Sequence, residues 1–452
     1  MKILRLLGLL LLFGPAFAIR GVWSEQTLNG TPVHVLSTTQ VDIAFNNSGQ
    51  IAGWFIKNVR GTQFHGVYTN APNLVPKNLP LPGTLSGFHP TQATFSKEGS
   101  SLIARFSQGS TELIYRLNPV YLSLQVTVRS STPRTLFWSG LGTSDHPLTK
   151  FLPQGGQAPQ PEGQGAARYI AWQSAPTQGD AMILEPLSGT LNAQLVSQGS
   201  GAVAKIQVPP GQPLRFRAYG GPNEMVRLQE EGYLNLPGLF QPNLLGYISL
   251  ILLLIMEAAF RLSGSWAFAI LALTLVVRLA LWPLMHRQYK SMAEMNKIKP
   301  LVDEINQKYK NDPEKRTQAT MQLYQEYKIN PFSGCLPLFL QLPILLVLWR
   351  VIANFEFNQG FLWIPDLALP DPHYILPILY VLTMMASTYL SSGGNREVMR
   401  QGMIMNLIFV FLVLSFPSGV SLYWVLSTLI SLGQQWLINR SLGIKPASAS
   451  KS

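Results

Sequence analysis

Arg278 lies between Val277 and Leu279, inside an apolar stretch that runs from Trp266 to Met285. Twelve residues past Trp266, it would sit roughly 18 Å along a helix, at membrane depth. An arginine at the bilayer centre costs about 2.5–3.5 kcal/mol on insertion scales. None of the chain's five apolar stretches holds a carboxylate, so no ion pair between them offsets that cost. The charge must either snorkel to the inner interface or face a water-filled cavity. Thr274, one helical turn earlier, shares the face of Arg278. Gln341, Ser387, Thr388, Asn406, Ser427, Gln434 and Gln435 are further polar residues in apolar surroundings. Each alone reads as an interhelical hydrogen bond. Together with an unpaired guanidinium they point to a wet intramembrane cavity. Missing acidic relays weigh against an ion-coupled transporter. Arg350 stands near the outer end of its stretch, where snorkelling accounts for it.

Covalent chemistry finds no support. There is no phosphate-cradling GxxxxGK[ST], no HExxH, no GxSxG and no cluster of metal ligands. The single cysteine, Cys335, rules out an intramolecular disulfide and a cysteine-only metal site. The expectation is therefore a protein that is not an enzyme and uses no cofactor or metal.

Five apolar segments must position these groups: Trp266–Met285, Cys335–Asn354, Tyr374–Leu390, Met403–Phe416 and Gly419–Ile438. Most approach the roughly 20 residues that cross a bilayer. Charge sets their direction. Residues 287–328 carry Lys290, Lys297, Lys299, Lys308, Lys310, Lys315 and Arg316, which predicts a cytoplasmic place. Residues 355–373 hold Glu356, Asp366 and Asp371 but no Lys or Arg, which predicts an outer one. Arg396 and Arg400, then Arg440, Lys445 and Lys451, return to the cytoplasm. A further run, Leu244–Ala259, reads better as an interfacial or partly inserted helix, because a sixth span would reverse this topology. In the cytoplasmic loop, Met292, Met295, Ile298, Val302, Ile305 and Tyr309 recur at helical spacing; Asn311-Asp312-Pro313 breaks the pattern, and it resumes to Tyr327. That is a helical hairpin, which either packs on itself or docks nascent chains or the ribosome.

Before the helical half, Lys2 and Arg5 lead an apolar run to Ala16-Phe17-Ala18, the layout of a cleaved signal or a retained anchor; either exports the chain beyond it. Alternating stretches such as Val41–Phe45, Ile51–Ile56, Ser101–Phe106, Glu112–Leu117, Tyr121–Val128 and Thr135–Trp138 predict short strands of a sandwich. Pro153–Gly165, rich in Gln, Gly and Pro, predicts a long loop. Trp23, Trp54 and Trp172 would line a sugar site if exposed and belong to the core if not. Across all 452 residues charged types make up 12% and the formal charge is +12, with mean hydropathy +0.17. Orientation in a membrane explains the basic excess, so no sequence-specific nucleic-acid partner is invoked.

Several motifs then occur in one order: Gln288-Tyr289-Lys290-Ser291-Met292; Lys328-Ile329-Asn330-Pro331 through Gly334-Cys335-Leu336-Pro337, followed by Gln341-Leu342-Pro343; Asp371-Pro372-His373-Tyr374; and Phe416-Pro417-Ser418-Gly419. With their spacing intact over roughly Leu244 to Arg440, they resemble the YidC/Oxa/Alb family of membrane-protein insertases. The exported region is similar to the family's large periplasmic domain in position and β character. The resemblance implies a groove open to the cytoplasm and to lipid, with Thr274 and Arg278 falling on its threonine and arginine. Trp424 falls where the family commonly has a substrate-contacting tyrosine, with Tyr423 before it. The tail after Arg440 is short and weakly basic, a departure that weakens any tail-based ribosome contact.

The expected fold is an α+β membrane protein: a polytopic bundle of five core transmembrane helices, an exported β-sandwich and a cytoplasmic helical hairpin. Expected segments are a signal or anchor at 1–18, the periplasmic domain at 19–235, the insertase core at 236–440 with its hairpin at 286–334, and a tail at 441–452. The substrate groove is expected to include Arg278, Thr274, Gln341, Tyr423, Trp424 and Ser427. The expected location is the bacterial inner membrane, residues 19–235 outside and the C-terminus inside. Expected partners are nascent membrane proteins and lipids, with the Sec translocon and the ribosome as further candidates. Two rivals remain: a solute transporter or channel, and a carbohydrate-binding β-domain merely anchored by the helices.

Overall fold

The computed structural model describes residues 21–57, 72–199, 201–241, 244–327, 336–355, 357, 360–392 and 396–441. The N-terminal signal or anchor, the junction motif at 328–335 and the tail at 442–452 lie outside them, as do the side chains of 288–292. The chain divides into two compact units, one built mainly from residues 17–250 and the other from 251–353 and 359–452.

The first unit is a β-sandwich whose paired strands all run antiparallel. Strands β1 (Val22–Leu28), β2 (Thr31–Ser37), β3 (Val41–Phe45) and β4 (Ile51–Ile56) form a four-stranded meander. The larger sheet contains β5 (Thr84–Leu85), β6 (Gln92–Glu98), β7 (Ser101–Gln108), β8 (Thr111–Leu117), β9 (Ser123–Arg129) and β10 (Arg134–Gly140). It also contains β11 (Leu148–Pro153), β12 (Gly163–Gln173), β13 (Asp180–Ser188), β14 (Leu191–Gln198), β15 (Gly201–Val208) and β16 (Leu214–Pro222). Its order is β5-β10-β15-β14-β12-β13-β16-β9-β8-β7-β6, with β11 on β12. One core joins the two sheets, with Ile43, Phe45 and Trp54 from the meander meeting Phe106, Tyr115 and Val126 from the larger sheet. β8 shows the reason: its residues alternate strictly between buried and half-buried, the period of a strand with one face on a core. Trp54 and Trp172 are fully buried and Trp23 packs against the same core, so these rings hold the sandwich together and do not line a sugar site.

The loop expected at Pro153–Gly165 is shorter than its composition suggests. Residues 163–165 belong to β12 and pair with β14. A Cβ on Gly163 would come within 2.3 Å of the Phe151 ring, so a glycine is what lets this strand lie over that buried aromatic. After β16, the chain folds back through α1 (Met225–Glu230) and a 3₁₀ turn. Glu231 accepts from Leu122 N at 2.6 Å and from the Ser123 hydroxyl, and Lys150 Nζ donates to the Gly238 and Leu239 carbonyls at 2.8 Å.

The helices are α2 (Leu244–Ser263), α3 (Trp266–Lys297), α4 (Lys299–Lys308), α5 (Pro313–Glu326), α6 (Leu336–Asn354), α7 (Ile375–Ser392), α8 (Arg396–Leu414) and α9 (Ser418–Ser441). Among the described residues, Leu244–Ser263 and Trp266–Arg287 are long and apolar enough to cross a membrane; Pro343–Ala353 and Ile375–Leu390 are shorter apolar helices. The run expected to lie at the interface forms a 20-residue helix, a length that suits an interfacial or a spanning helix alike, and it is followed by Gly264 at φ +68°. Ser265 restarts the chain by capping α3, its hydroxyl accepting from Phe268 N. The hairpin also differs in detail. α3 continues past Pro283 to Lys297, and the first arm is interrupted at Ile298, with Pro300 in the first turn of α4. Asp312 caps α5 by accepting from Lys315 N, so the sequence break expected there is a helix start.

Candidate intramembrane polar site

Two helices supply the site. α9 packs against both α3 and α7, and its inward face carries Ser427, Thr428, Ser431, Gln434 and Gln435, all buried. Steps of three and four residues put these groups on one stripe. Thr274 and Arg278 on α3 are also buried, at 0% and 8% exposure. The opposite surfaces are apolar: Leu275, Val276, Leu279 and Trp282 of α3 are exposed, Leu279 by 67%, as are Leu429, Trp436 and Leu437 of α9. A helix in water shows the reverse pattern. The inversion is what an apolar surrounding medium selects, with polar groups gathered where they can bond to one another.

Arg278 and Ser427, 149 residues apart, meet at the centre of this face. Arg278 Nε donates to Ser427 Oγ at 2.8 Å, and one terminal guanidinium nitrogen donates to the same oxygen. The other terminal nitrogen reaches the Met285 sulfur at 3.7 Å. Among the described residues no carboxylate pairs with Arg278. The guanidinium is thus held by a hydroxyl and a thioether, which satisfy hydrogen-bonding directions without neutralising the charge. Thr274 is committed elsewhere, since its hydroxyl donates to the Ile270 carbonyl at 2.6 Å, the usual return bond of a threonine within a helix.

The remaining expected groove residues lie on adjoining turns. Gln341 of α6 donates to the Tyr423 hydroxyl at 3.3 Å. Trp424 is buried in an aromatic cluster, 4.9 Å from Tyr380, 5.8 Å from Phe409 and stacked at 5.7 Å on Phe416. The structure therefore joins Arg278 to Ser427 and Gln341 to Tyr423, while Trp424 serves a separate ring cluster one turn before Ser427. On the neighbouring pair of helices, Asn406 Nδ2 donates to Thr388 Oγ1 at 2.9 Å. Sequence reasoning missed Met285, Thr428 and Ser431. Their signal was spacing: Met285 is two turns past Arg278, and Ser431 is one turn past Ser427.

Two of the sequence motifs close one end of the bundle. The Asp371 carboxylate accepts from Trp363 Nε1 at 2.9 Å, His373 N at 3.0 Å and Leu376 N at 2.7 Å, which anchors the loop and caps α7. Ser418 N donates to the Leu369 carbonyl at 2.6 Å and Gly419 N to the Leu367 carbonyl at 2.8 Å, which binds that loop to the start of α9. A Cβ on Gly419 would meet Ile270 and Ile352 at 3.1 Å, so glycine permits the close approach of α9 to α3 and α6.

Comparison with known proteins agrees with this architecture. Residues 225–445 match the model of a family described as the 60Kd inner membrane protein. A membrane protein insertase YidC of Deinococcus radiodurans is 38% identical over 363 residues, covering 76% of this chain and 84% of the relative. One from Polynucleobacter asymbioticus is 37% identical over 218 residues, covering 47% of this chain and 39% of that relative. A crystal structure of an active YidC insertase with its first transmembrane domain resolved superposes with TM-score 0.59 at 23% identity. That match covers 96% of this chain and 97% of the other, and it speaks to the fold.

Proposed function

Since this chain belongs to the YidC family of membrane protein insertases, we propose that its helical unit moves segments of newly made membrane proteins into the bilayer along the polar face centred on Arg278. The protein is a membrane protein, and its substrates are nascent membrane proteins. The observation that carries the mechanism is the inverted polarity of α3 and α9, with a buried guanidinium that is hydrogen-bonded yet not neutralised.

The physical consequence is a shortened barrier. A client's polar outer segment would have to cross about 30 Å of hydrocarbon unaided. A hydrated polar groove thins that barrier, and an un-neutralised Arg278 attracts acidic side chains of the segment in a low-dielectric setting, where attraction is strong. Burial of the client's apolar helix in lipid supplies the driving force, at about 25 cal/mol per Å². No covalent step or nucleotide is required. The fit of the basic segments to the positive-inside rule supports five core spans, the hairpin and C-terminus in the cytoplasm and the β-sandwich outside. Thr274, Gln341, Tyr423, Trp424 and Ser427 are assigned to the groove with Arg278, the last four as the groups that shape its wall. The basic hairpin of α4 and α5 is a docking arm for ribosomes or nascent chains, and the Sec translocon is a further candidate partner.

Insertion of a reporter with an acidic outer tail into proteoliposomes, measured by protease protection, tests this reading. Arg278→Ala should slow insertion of that reporter and spare one with a neutral tail, and Arg278→Lys should restore part of the rate. Wild-type insertion by Arg278→Ala would show the charge to be dispensable.

A further inference from the structure

The outer face of the large sheet, turned away from the core, carries a concavity of about 410 Å³. Four arginines line it, one from each of four neighbouring strands: Arg105 on β7, Arg116 on β8, Arg129 on β9 and Arg215 on β16. The strand register arranges them around a floor. Arg105 lies opposite Ile114, Ile114 opposite Thr127, and Thr127 opposite Arg215, so one row runs Arg–Ile–Thr–Arg across the sheet. Arg116 stands two residues along from Ile114 on one side, and Arg129 two residues along from Thr127 on the other. The result is a ring of guanidinium groups about an Ile114–Thr127 centre.

The ring is not balanced. Glu112 reaches Arg129 at 3.0 Å and Arg105 at 3.7 Å, and Glu98 reaches Arg116 at 2.7 Å. Neither acid lines the concavity. Among the described residues Arg215 has no acidic partner and is exposed. Strands are about 4.8 Å apart, so Arg105 and Arg215 stand roughly 14 Å from each other. A single phosphate cannot span that width. An extended peptide can, because its alternate side chains recur about every 7 Å along one face. With a carboxylate at every second residue, all of the acids of such a peptide point to the guanidinium groups and the residues between them point away from the sheet. Ile114 and the exposed Leu187 leave the floor of the concavity free of competing charge. A volume near 410 Å³ is in the range of small binding clefts, about 300–1,000 Å³.

We propose that this arginine ring binds an extended acidic segment of a polypeptide, one that carries a carboxylate at every second residue. The assignment rests on the insertase reading for its source: exported polar segments of client proteins supply such peptides outside the membrane. Charge-assisted bonds from planar guanidinium groups provide both attraction and register.

The full chain in nanodiscs of zwitterionic lipid, titrated with a fluorescein-labelled Asp-Val-Asp-Val-Asp peptide and followed by anisotropy, tests the proposal. Binding should weaken as salt is raised, because the charges are exposed. Arg215→Gln should weaken it at least about fivefold, the loss expected for one charge-assisted bond, while Arg215→Lys retains most of it. The matching Asn-Val peptide should not bind. Equal binding of the Asn peptide, indifference to Arg215→Gln, or no binding of the Asp peptide would overturn the proposal. So would displacement of the peptide by inorganic pyrophosphate at an equal concentration, or capture only of phosphatidylglycerol vesicles, which would assign the ring to small phosphates or to lipid headgroups. Insertion plays no part in this readout, so a negative result leaves the groove reading standing, and failure of the Arg278 experiment leaves this one standing.

Discussion

Ser427→Ala isolates the bond on which the proposed groove depends. The hydroxyl accepts two guanidinium N–H groups of Arg278, one at 2.8 Å, in surroundings where the arginine is 8% exposed. Alanine removes the acceptor with little change of volume, so two charged donors lose their partner. Each orphaned buried donor costs about 1–3 kcal/mol. Part of that returns when the guanidinium swings toward the inner interface, because a long side chain can snorkel. A net penalty of about 1.5–3 kcal/mol is expected, and it appears as displacement of the charge from the polar face. If client capture needs the charge in place, insertion of an acidic-tailed reporter should fall about 10- to 100-fold, since 1.4 kcal/mol is a factor of ten. Ser427→Thr keeps the oxygen and should keep most of the rate. The assay compares acidic- and neutral-tailed reporters in proteoliposomes, with thermal unfolding of each variant measured alongside. Equal slowing of both reporters together with a lower melting temperature would make Ser427 a packing residue. Unchanged insertion of the acidic reporter would remove the energetic basis assigned to the bond.

Three further outcomes are expected. Asp371→Ala removes the acceptor of three N–H groups, and the buried loop donors left behind should lower stability by about 3 kcal/mol, read as the melting temperature in detergent; an unchanged melting temperature would deny the carboxylate its anchoring role. Gly419→Val drives a branched side chain against Ile270 and Ile352, with a cost of about 1–3 kcal/mol and a loss of insertion with every reporter. In the β-sandwich, burial raises the Glu231 pKa above its ordinary 4.5 more than its bonds to Ser123 and Leu122 lower it, and burial likewise raises that of Asp42. The folded state then holds these protons more tightly than the unfolded one, so stability is greatest below the unfolded values and is lost as pH rises through the raised ones. Urea unfolding of the full chain, followed by tryptophan fluorescence, should show resistance increasing as pH falls toward the ordinary glutamate value of 4.5, by at most about 1.4 kcal/mol per pH unit for each group. Glu231→Gln should flatten that slope, and a slope of the opposite sign would contradict burial as the dominant cause.

The reach of sequence reasoning was set by contrast. Arg278, Ser427 and Gln341 stand out because a polar residue among apolar ones needs an explanation. Met285 does not stand out, since a methionine in an apolar helix is ordinary until its sulfur is found beside a guanidinium. Pairing was invisible for a different reason. Arg278 and Ser427 are 149 positions apart and Gln341 and Tyr423 are 82 apart, and only helix packing brings them together. Trp424 is expected in the groove by resemblance to a tyrosine, and the rings it packs with, Phe416, Tyr380 and Phe409, come from other helices and the turn before α9 and were not legible from its own position. In the sandwich, alternation located strands such as β3 and β8 but carried no information about their order across twelve neighbours. Gly163 and Gly165 read as loop by composition, whereas both pair with β14, and the Phe151 ring that requires a glycine at 163 comes from a different strand.

The inverted polarity also separates the insertase reading from that of a passive anchor. A helix that only tethers a β-domain minimises its free energy by being apolar on every face, because each buried polar group in hydrocarbon has a cost unless it is bonded. α9 instead places five polar side chains on its buried stripe and α3 adds an arginine, a residue that costs about 2.5–3.5 kcal/mol at the centre of a bilayer. If the stripe served helix association alone, neutral partners would suffice, as Asn406 and Thr388 demonstrate between α7 and α8. Among the described residues the charge has no acid beside it, which offers no advantage to packing. On the proposed reading its value is realised when an anion arrives from elsewhere, and the groups around it, a hydroxyl and a thioether, hold the guanidinium in place while leaving that charge available.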